Sequence, residues 1–280
     1  MPLVPASGLV GAARSGRRAL LAFNVVSLEQ AEGVVAGAEA ADCPVLLAVS
    51  QNAVRFHGGR LRPLATACTE VARSAGVDIG LHLDHVTDEW LWLAAADAGF
   101  SSVMVDASTL AHADNLAVTA AATRRLHDQG LWVEAELGEV GGKDGAHAPG
   151  VRTDPAAAAA FVAATGVDAL AVAVGSSHAM TTRTATLDLD LIARLAAAVP
   201  VPLVLHGSSG VATPVLADAV AAGMVKINIG TLLGLSYTDA VRDHLAAATG
   251  VVKDPRTYLA AARDAVAATV AGLCLELTRP

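Results

Sequence analysis

Leu20-Leu21-Ala22-Phe23-Asn24-Val25-Val26-Ser27-Leu28-Glu29-Gln30 reads as one complete structural unit. Its first seven residues are a short, almost continuously apolar run, the pattern of a strand covered on both faces in a parallel sheet. Ser27, with Gln30 three residues later, is a capping box that opens a helix. The unit recurs along the chain. Apolar runs at 20–26, 45–50, 77–85, 102–106, 131–137, 169–174, 202–206 and 226–229 predict strands. Helices are expected at 28–41, 61–75, 88–98, 114–129, 154–165, 189–198, 213–222 and 232–249. Thr153-Asp154-Pro155 marks a second capped start.

Eight strand–helix units are satisfied by an α/β fold, a closed (β/α)8 TIM barrel, for which about 250 residues is the usual size. An extra C-terminal helix is expected over 254–277. No shift of composition marks a linker, so residues 1–280 are read as a single TIM-barrel domain with its core at 20–249. An open doubly wound sheet is the alternative, but no GxGxxG follows the first strand.

Composition narrows the function classes. Apolar residues make up 54% of the chain, mostly as Ala and Val, which suits Ala-rich helices on Val-rich strands. The net charge of −8 argues against a broad nucleic-acid footprint. Cys43, Cys68 and Cys274 have no metal-binding spacing and read as small buried hydrophobes in a reducing compartment. The N-terminus lacks a basic region before its apolar residues, and no run of about 20 residues is free of charge or of a Gly/Pro break. A cytoplasmic protein with no membrane segment is expected.

The strand ends carry the chemistry. In barrels of this kind, catalytic groups stand at the C-terminal ends of strands. Read in order, those ends are Asn24, Ser50, Asp84-His85, Asp106, Glu136, His178, His206 and Asn228. Three imidazoles, His85, His178 and His206, can converge on one ion and leave a fourth position open. Zn²⁺ is the default, and Co²⁺ or Mn²⁺ suits the same ligands. Gly207-Ser208-Ser209-Gly210 and Asn228-Ile229-Gly230-Thr231 offer small residues and backbone N–H groups where such barrels hold phosphate. The long glycine-rich segment 138–152 reads as a lid. Lys226 is a rival candidate for covalent catalysis.

These motifs resemble the class II, zinc-dependent fructose-bisphosphate and tagatose-bisphosphate aldolase family. The resemblance rests on Ala22-Phe23-Asn24-Val25-Val26, His82-Leu83-Asp84-His85, Ser102-Val103-Met104-Val105-Asp106 and Glu134-Ala135-Glu136-Leu137-Gly138. It continues through Gly141-Gly142, Gly166-Val167-Asp168, His206-Gly207-Ser208-Ser209-Gly210 and Lys226-Ile227-Asn228-Ile229. The chain is most similar to the shorter ketose-bisphosphate branch. The resemblance implies a metal-dependent aldolase working through a zinc-stabilised enediolate. His85, His178 and His206 would be the metal ligands, and Asp84 the acid/base at the C4 oxygen. Asp106 and Glu136 would hold an alternative metal position or support the ligands. Asn24, Ser50, Ala179, Gly207, Ser208, Ser209, Asn228, Ile229, Gly230 and Thr231 would contact substrate. The family's loop Glu has no counterpart after Gly142, and Asp144 is the nearest carboxylate. A monovalent cation is a further candidate cofactor, ketoses and aldehydes are the expected partners, and a homodimer or homotetramer is the expected assembly.

The phosphate cradle departs from the family pattern. Where relatives carry Gly after the second histidine this chain has Ala179, and the usual Lys position is Thr182. Arg183, one residue later, is the candidate replacement contact. The expected donor is therefore not the standard dihydroxyacetone phosphate. A metal-dependent isomerase or epimerase on the same barrel, and a non-catalytic relative, are the other readings.

Overall fold

The apolar runs do form strands, and each pairs in parallel with the next. In the computed structural model, which describes residues 2–137, 151–177 and 180–278, they are β1 (Leu20–Asn24), β2 (Val45–Ser50), β3 (Ile79–Val86), β4 (Ser102–Val105), β5 (Trp132–Glu136), β6 (Ala169–Ala171), β7 (Leu203–Leu205) and β8 (Met224–Ile229). β8 closes on β1, giving an eight-stranded barrel in sequence order. The helices are α1 (Ala6–Ser15), α2 (Leu28–Ala40), α3 (Gln51–Phe56), α4 (Leu61–Ser74), α5 (Glu89–Leu93), α6 (His112–His127), α7 (Pro155–Thr165), α8 (Leu189–Ala198), α9 (Thr213–Ala221), α10 (Thr231–Ala247) and α11 (Pro255–Leu277).

Local signals act as read. Ser27 Oγ accepts from Gln30 N, and Asp154 Oδ1 accepts from Ala157 N with Pro155 opening the helix. Three details differ. The segment 88–98 splits into α5 and a 3-10 turn, Ala96–Ala98, closed by Gly99 in the left-handed region. β6 ends at Ala171 because the chain beyond it turns to Thr153: Ala173 N donates to Thr153 Oγ1 at 2.8 Å, and Thr153 N donates to Ala173 O at 2.9 Å. α1 and α3 are additional helices, the second capped by Ser50 Oγ, which accepts from Ala53 N.

α1 closes the N-terminal end of the barrel. Its Ala6, Leu9, Val10 and Ala13 pack on Leu20, Ala22, Leu46 and Val225. Gly80 makes room, since a Cβ there would stand 2.5 Å from Leu46 Cδ2. Outward-facing residues such as Leu81, Leu83, Ile227 and Ile229 pack under the helices in the main core.

Above this plug the barrel interior is polar. His82, Ser102, Glu134 and Lys226 are all fully buried. Lys226 Nζ donates to Glu134 Oε2 and Asn228 Oδ1, each at 2.7 Å, and stands 3.4 Å from His82 Nε2. Its three donors are thus all directed at acceptors. Burial and the Lys226 charge lower the pKa of His82, and its Nδ1 lies 2.9 Å from Ser102 Oγ. Burial alone would raise the Glu134 carboxyl, but the Lys226 ammonium and the His206 hydrogen bond hold it at about 2.

α11 lies across α2 on a glycine face. A Cβ on Gly37 would stand 2.4 Å from Ala267 O and 2.7 Å from Val270 Cβ, and one on Gly33 would stand 2.7 Å from Arg263 O. By length and composition α11 is apolar enough to cross a membrane; here its Val266, Val270 and Leu273 belong to the main core.

These contacts generate three stability predictions. Gly37→Ala meets backbone that cannot give way, so its thermal midpoint should fall, by about 1–3 kcal/mol of overpacking. Gly234→Ala in α10, with nothing within 4 Å of the new Cβ, should be neutral or gain up to about 1 kcal/mol. Lys226→Met strands the Glu134 charge and should cost about 3–5 kcal/mol at neutral pH. Glu134 is depressed, so its contribution is present above its ordinary value of 4.5 and is lost as pH falls toward 2. The wild type should therefore lose its advantage over Lys226→Met across that window, as read from midpoints at several pH values.

Candidate active site

Strict strand alternation would send Asp84 and His85 to opposite faces of β3. A bulge prevents this. The β3–β4 register shifts between Leu83 and Val86, and His85 sits at φ +50°, a left-handed conformation rare outside glycine. Both side chains consequently line the same cavity at the C-terminal end of the barrel, about 280 Å³ in volume. Asn24, Ser50, His206 and Asn228 line it with them, as do Gly207, Ser208, Ser209, Gly230 and Thr231 from the loops after β7 and β8.

Each imidazole is oriented by a carboxylate. His85 Nδ1 lies 2.8 Å from Asp106 Oδ2, and Asp106 Oδ1 accepts from Ser108 Oγ at 2.6 Å. His206 Nε2 lies 3.0 Å from Glu134 Oε1. A carboxylate only accepts, so the protons sit on His85 Nδ1 and His206 Nε2. The remaining nitrogens, His85 Nε2 and His206 Nδ1, approach each other at 2.9 Å. Burial, opposed by the Glu134 bond and assisted by His85, pushes His206 down to about 4. The close contact is satisfied by one shared proton or by a cation that both nitrogens bind. A divalent ion with borderline-soft nitrogen ligands suits it, and the orienting carboxylates are the usual supports of such ligands.

Asp84 completes the arrangement. Its Oδ2 accepts from Asn24 Nδ2 at 2.8 Å and its Oδ1 from Asn228 Nδ2 at 3.1 Å. Burial opposes its ionisation, but His85, His82 and His206 hold it well below the usual carboxylate range. Ligand atoms of Asp84, His85 and His206 all fall within 4.8 Å of one another. So do those of His85, Asp106 and Glu136, a second group in which both acids are buried.

The described residues place most of the sequence candidates at this mouth, with three differences. Ile229 is 1% exposed and its side chain packs outward into the main core, because alternation from the inward Asn228 requires it. The Arg183 guanidinium donates to Val211 O at 2.9 Å and Thr213 Oγ1 at 2.7 Å, partners at the start of α9 and just before it, and is not among the cavity-lining residues. Lys226 is sealed beneath the cavity by its own hydrogen bonds. His178, Ala179 and Asp144 lie outside the described residues, as does the proposed lid at 138–150. Their neighbours do approach: Ser176 Oγ donates to His206 O at 2.6 Å, and a Cβ on Gly207, φ +68°, would stand 2.6 Å from the Ser177 carbonyl. Glu134 was not among the sequence candidates, although its place two residues before Glu136 puts it on the same inward face.

Comparison with known proteins agrees with this geometry. The sequence profile of class-II fructose-bisphosphate aldolase matches residues 4–278. A fructose-bisphosphate aldolase of Geobacillus stearothermophilus is 36% identical, covering 99% of this chain and 97% of that protein. A probable fructose-bisphosphate aldolase of Bacillus subtilis is also 36% identical, covering 99% and 98%. The crystal structure of the YdjI aldolase from Escherichia coli K12 superposes with a TM-score of 0.84 at 31% identity, covering 96% of this chain and 95% of that one. The chain thus belongs to the class II fructose-bisphosphate aldolase family, a family of lyases.

Proposed function

We propose that this protein makes or cleaves the carbon–carbon bond of a ketose with Zn²⁺ held by His85, His178 and His206, and with a donor other than standard dihydroxyacetone phosphate. The observation that carries the metal assignment is the 2.9 Å approach of two imidazole nitrogens, each ring backed by a carboxylate, with Asp84 within 4.8 Å of both. The contacts of Ser176 and Ser177 with the His206 segment support the third ligand, since they immediately precede His178.

A bound divalent ion supplies Lewis-acid stabilisation of the charge that develops on the ketone oxygen. The remaining work falls to the chain. Asn24 and Asn228 grip both oxygens of Asp84 and aim it into the cavity. From there Asp84 takes the hydroxyl proton of the departing carbon in cleavage and returns it in synthesis. Asp144 is the candidate for proton exchange at the nucleophilic carbon. Asp106 and Glu136 back His85 and offer the alternative metal position. Ser208 ties the β7 loop to β8 by donating to Asn228 O, and Ser209 Oγ accepts from Leu232 N at 3.1 Å, which fixes the floor where the donor rests. Lys226 takes no covalent part in this scheme, because its ammonium is spent on Glu134 and Asn228.

The donor assignment rests on charge. Among the described residues lining the cavity there is no Lys or Arg, and Arg183 is engaged with Val211 and Thr213. A lost charge-assisted hydrogen bond weakens phosphate binding by about 1.5–3 kcal/mol, a factor of roughly 10–150. The names of the relatives at 36% identity favour a second reading, fructose 1,6-bisphosphate itself. The same proposal places the protein in the cytosol as a homodimer or homotetramer. The exposed Phe56 and Trp90 are apolar surface for such an assembly to cover.

Two measurements test this. Exhaustive EDTA treatment should abolish aldol cleavage and added Zn²⁺ should restore it; activity that survives chelation contradicts the metal mechanism. In synthesis with a panel of aldehydes, kcat/KM for dihydroxyacetone should equal or exceed that for its phosphate. A clear preference for the phosphorylated donor assigns the enzyme to the second reading.

A further inference from the structure

The opposite end of the barrel holds a pair of thiols that the chemistry above does not use. Cys43 lies two residues before β2 and Cys274 in the last turn of α11. They are distant in sequence, yet both belong to the main core and each thiol is the first influence on the ionisation of the other. Thr278 joins them: its Oγ1 is 3.3 Å from Cys43 Sγ and donates to Cys274 O at 2.8 Å. Ala19 N donates to Leu277 O at 3.3 Å, which holds this end of α11 against the start of β1. No disulfide joins them, and all three cysteines are free thiols.

Cys43 is only 2% exposed, but open space adjoins it. It lines a cavity of about 250 Å³ together with Arg18, Asp42, Pro44 and Thr278. A space of that size admits a molecule as small as a peroxide. We propose that Cys43 and Cys274 form a reversible oxidation site for small hydroperoxides, with Cys43 as the attacking thiol and Cys274 as the resolving one. The Cys43 thiolate attacks one peroxide oxygen, the O–O bond breaks, and the departing oxygen leaves as water after taking a proton. Cys43 is then a sulfenic acid. The Cys274 sulfur attacks it, the S–O bond breaks, and the hydroxyl leaves as a second water with the Cys274 proton. Two thiols lose two electrons, hydrogen peroxide becomes two waters, and one disulfide forms. A low-molecular-weight thiol reverses the step by exchange.

The surroundings divide the roles. The Cys274 hydrogen bond favours the Cys43 thiolate. Burial opposes it, while Thr278 and Arg18 assist, and the balance lowers the group to about 7. Cys274 moves the other way, raised by the same hydrogen bond and by burial. Cys68 is an internal control: it is fully buried in the main core and burial pushes its thiol up to about 12. The disulfide would fasten α11, the helix lying on the glycine face of α2, to the chain entering β2. It would do so at the end of the barrel away from His85 and His206.

Peptide mapping of the reduced wild-type protein after graded hydrogen peroxide tests this directly. The expected product is a single linked peptide joining Cys43 to Cys274, a mass loss of about 2 Da per chain, full reversal by dithiothreitol, and a raised thermal midpoint in the linked form. Cys43→Ser and Cys274→Ser should each abolish the link. Native iodoacetamide labelling should mark Cys43 while Cys68 reacts only after denaturation. Accumulation of Cys43 sulfenic or sulfinic acid without a link would overturn the pairing. Oxidation of Cys68 as fast as Cys43 would overturn the site itself. Both outcomes are read on the wild-type chain, independent of whether the variants fold.

Discussion

The carboxylate of Glu134 is the constraint on which the site depends. One oxygen receives the Lys226 ammonium at 2.7 Å and the other stands 3.0 Å from His206 Nε2. Neither job is separable from the other. Without Lys226, an ionised Glu134 would be a bare charge inside the barrel and would become protonated. A protonated Glu134 no longer fixes the His206 proton on Nε2, and the Nδ1 lone pair is no longer guaranteed to the mouth. A buried ion pair is weak support for stability in general. Here its value is directional: it transmits charge from the barrel interior into the tautomer of an imidazole at the surface of the cavity.

β3 solves the complementary problem. A regular strand offers one face to the interior, so adjacent residues cannot both act there. The bulge at Asp84-His85 and the left-handed backbone of His85 turn two consecutive residues toward one cavity. Such a conformation costs on the order of 1–3 kcal/mol and persists where surrounding contacts hold it. Asn24 and Asn228 hold Asp84, and Asp106 holds His85. The partners come from β1, β8 and the end of β4, so the barrel as a whole enforces a geometry that β3 alone would relax.

What the sequence reveals divides along the same physical lines. The eight strands are plain because each is buried on both faces and so is apolar without interruption. Their polar ends are equally plain, which is how Asp84, His85, His206 and Asn228 are found from residues alone. α3 escapes notice because it is six residues long and its cap, Ser50, which accepts from Ala53 N, also ends β2; α1 has no side-chain cap and hides among residues that are apolar for another purpose, as the plug of the barrel. Glu134 and Lys226 escape as structural partners because a charged residue inside an apolar run gives no sign of which strand, across the barrel, will neutralise it. Cys43 and Cys274 read as unrelated hydrophobes until the fold brings the chain's end back to β2. Ile229 errs the other way: it sits in the right motif, but strand alternation turns its side chain from the site.

Under the proposed function, reaction class and substrate are written in different parts of the molecule. The groups that define the reaction stand at strand ends or one residue beyond them, and each is held by a neighbour inside the barrel. Changing one leaves a buried charge or an unpaired imidazole, a cost the fold resists. The loops after β7 and β8 also meet the cavity, and there Ser208 and Ser209 are tied to Asn228 and Leu232. In the segment before α8, by contrast, Thr182 is exposed, and Arg183 satisfies itself on Val211 and Thr213 without disturbing any strand. Substitution at those two positions carries little structural penalty, so under the proposed function it answers to the substrate. On that proposal, a chain that keeps Asp84, His85 and His206 while carrying Thr182 at the usual Lys position is the combination that change of substrate without change of chemistry requires.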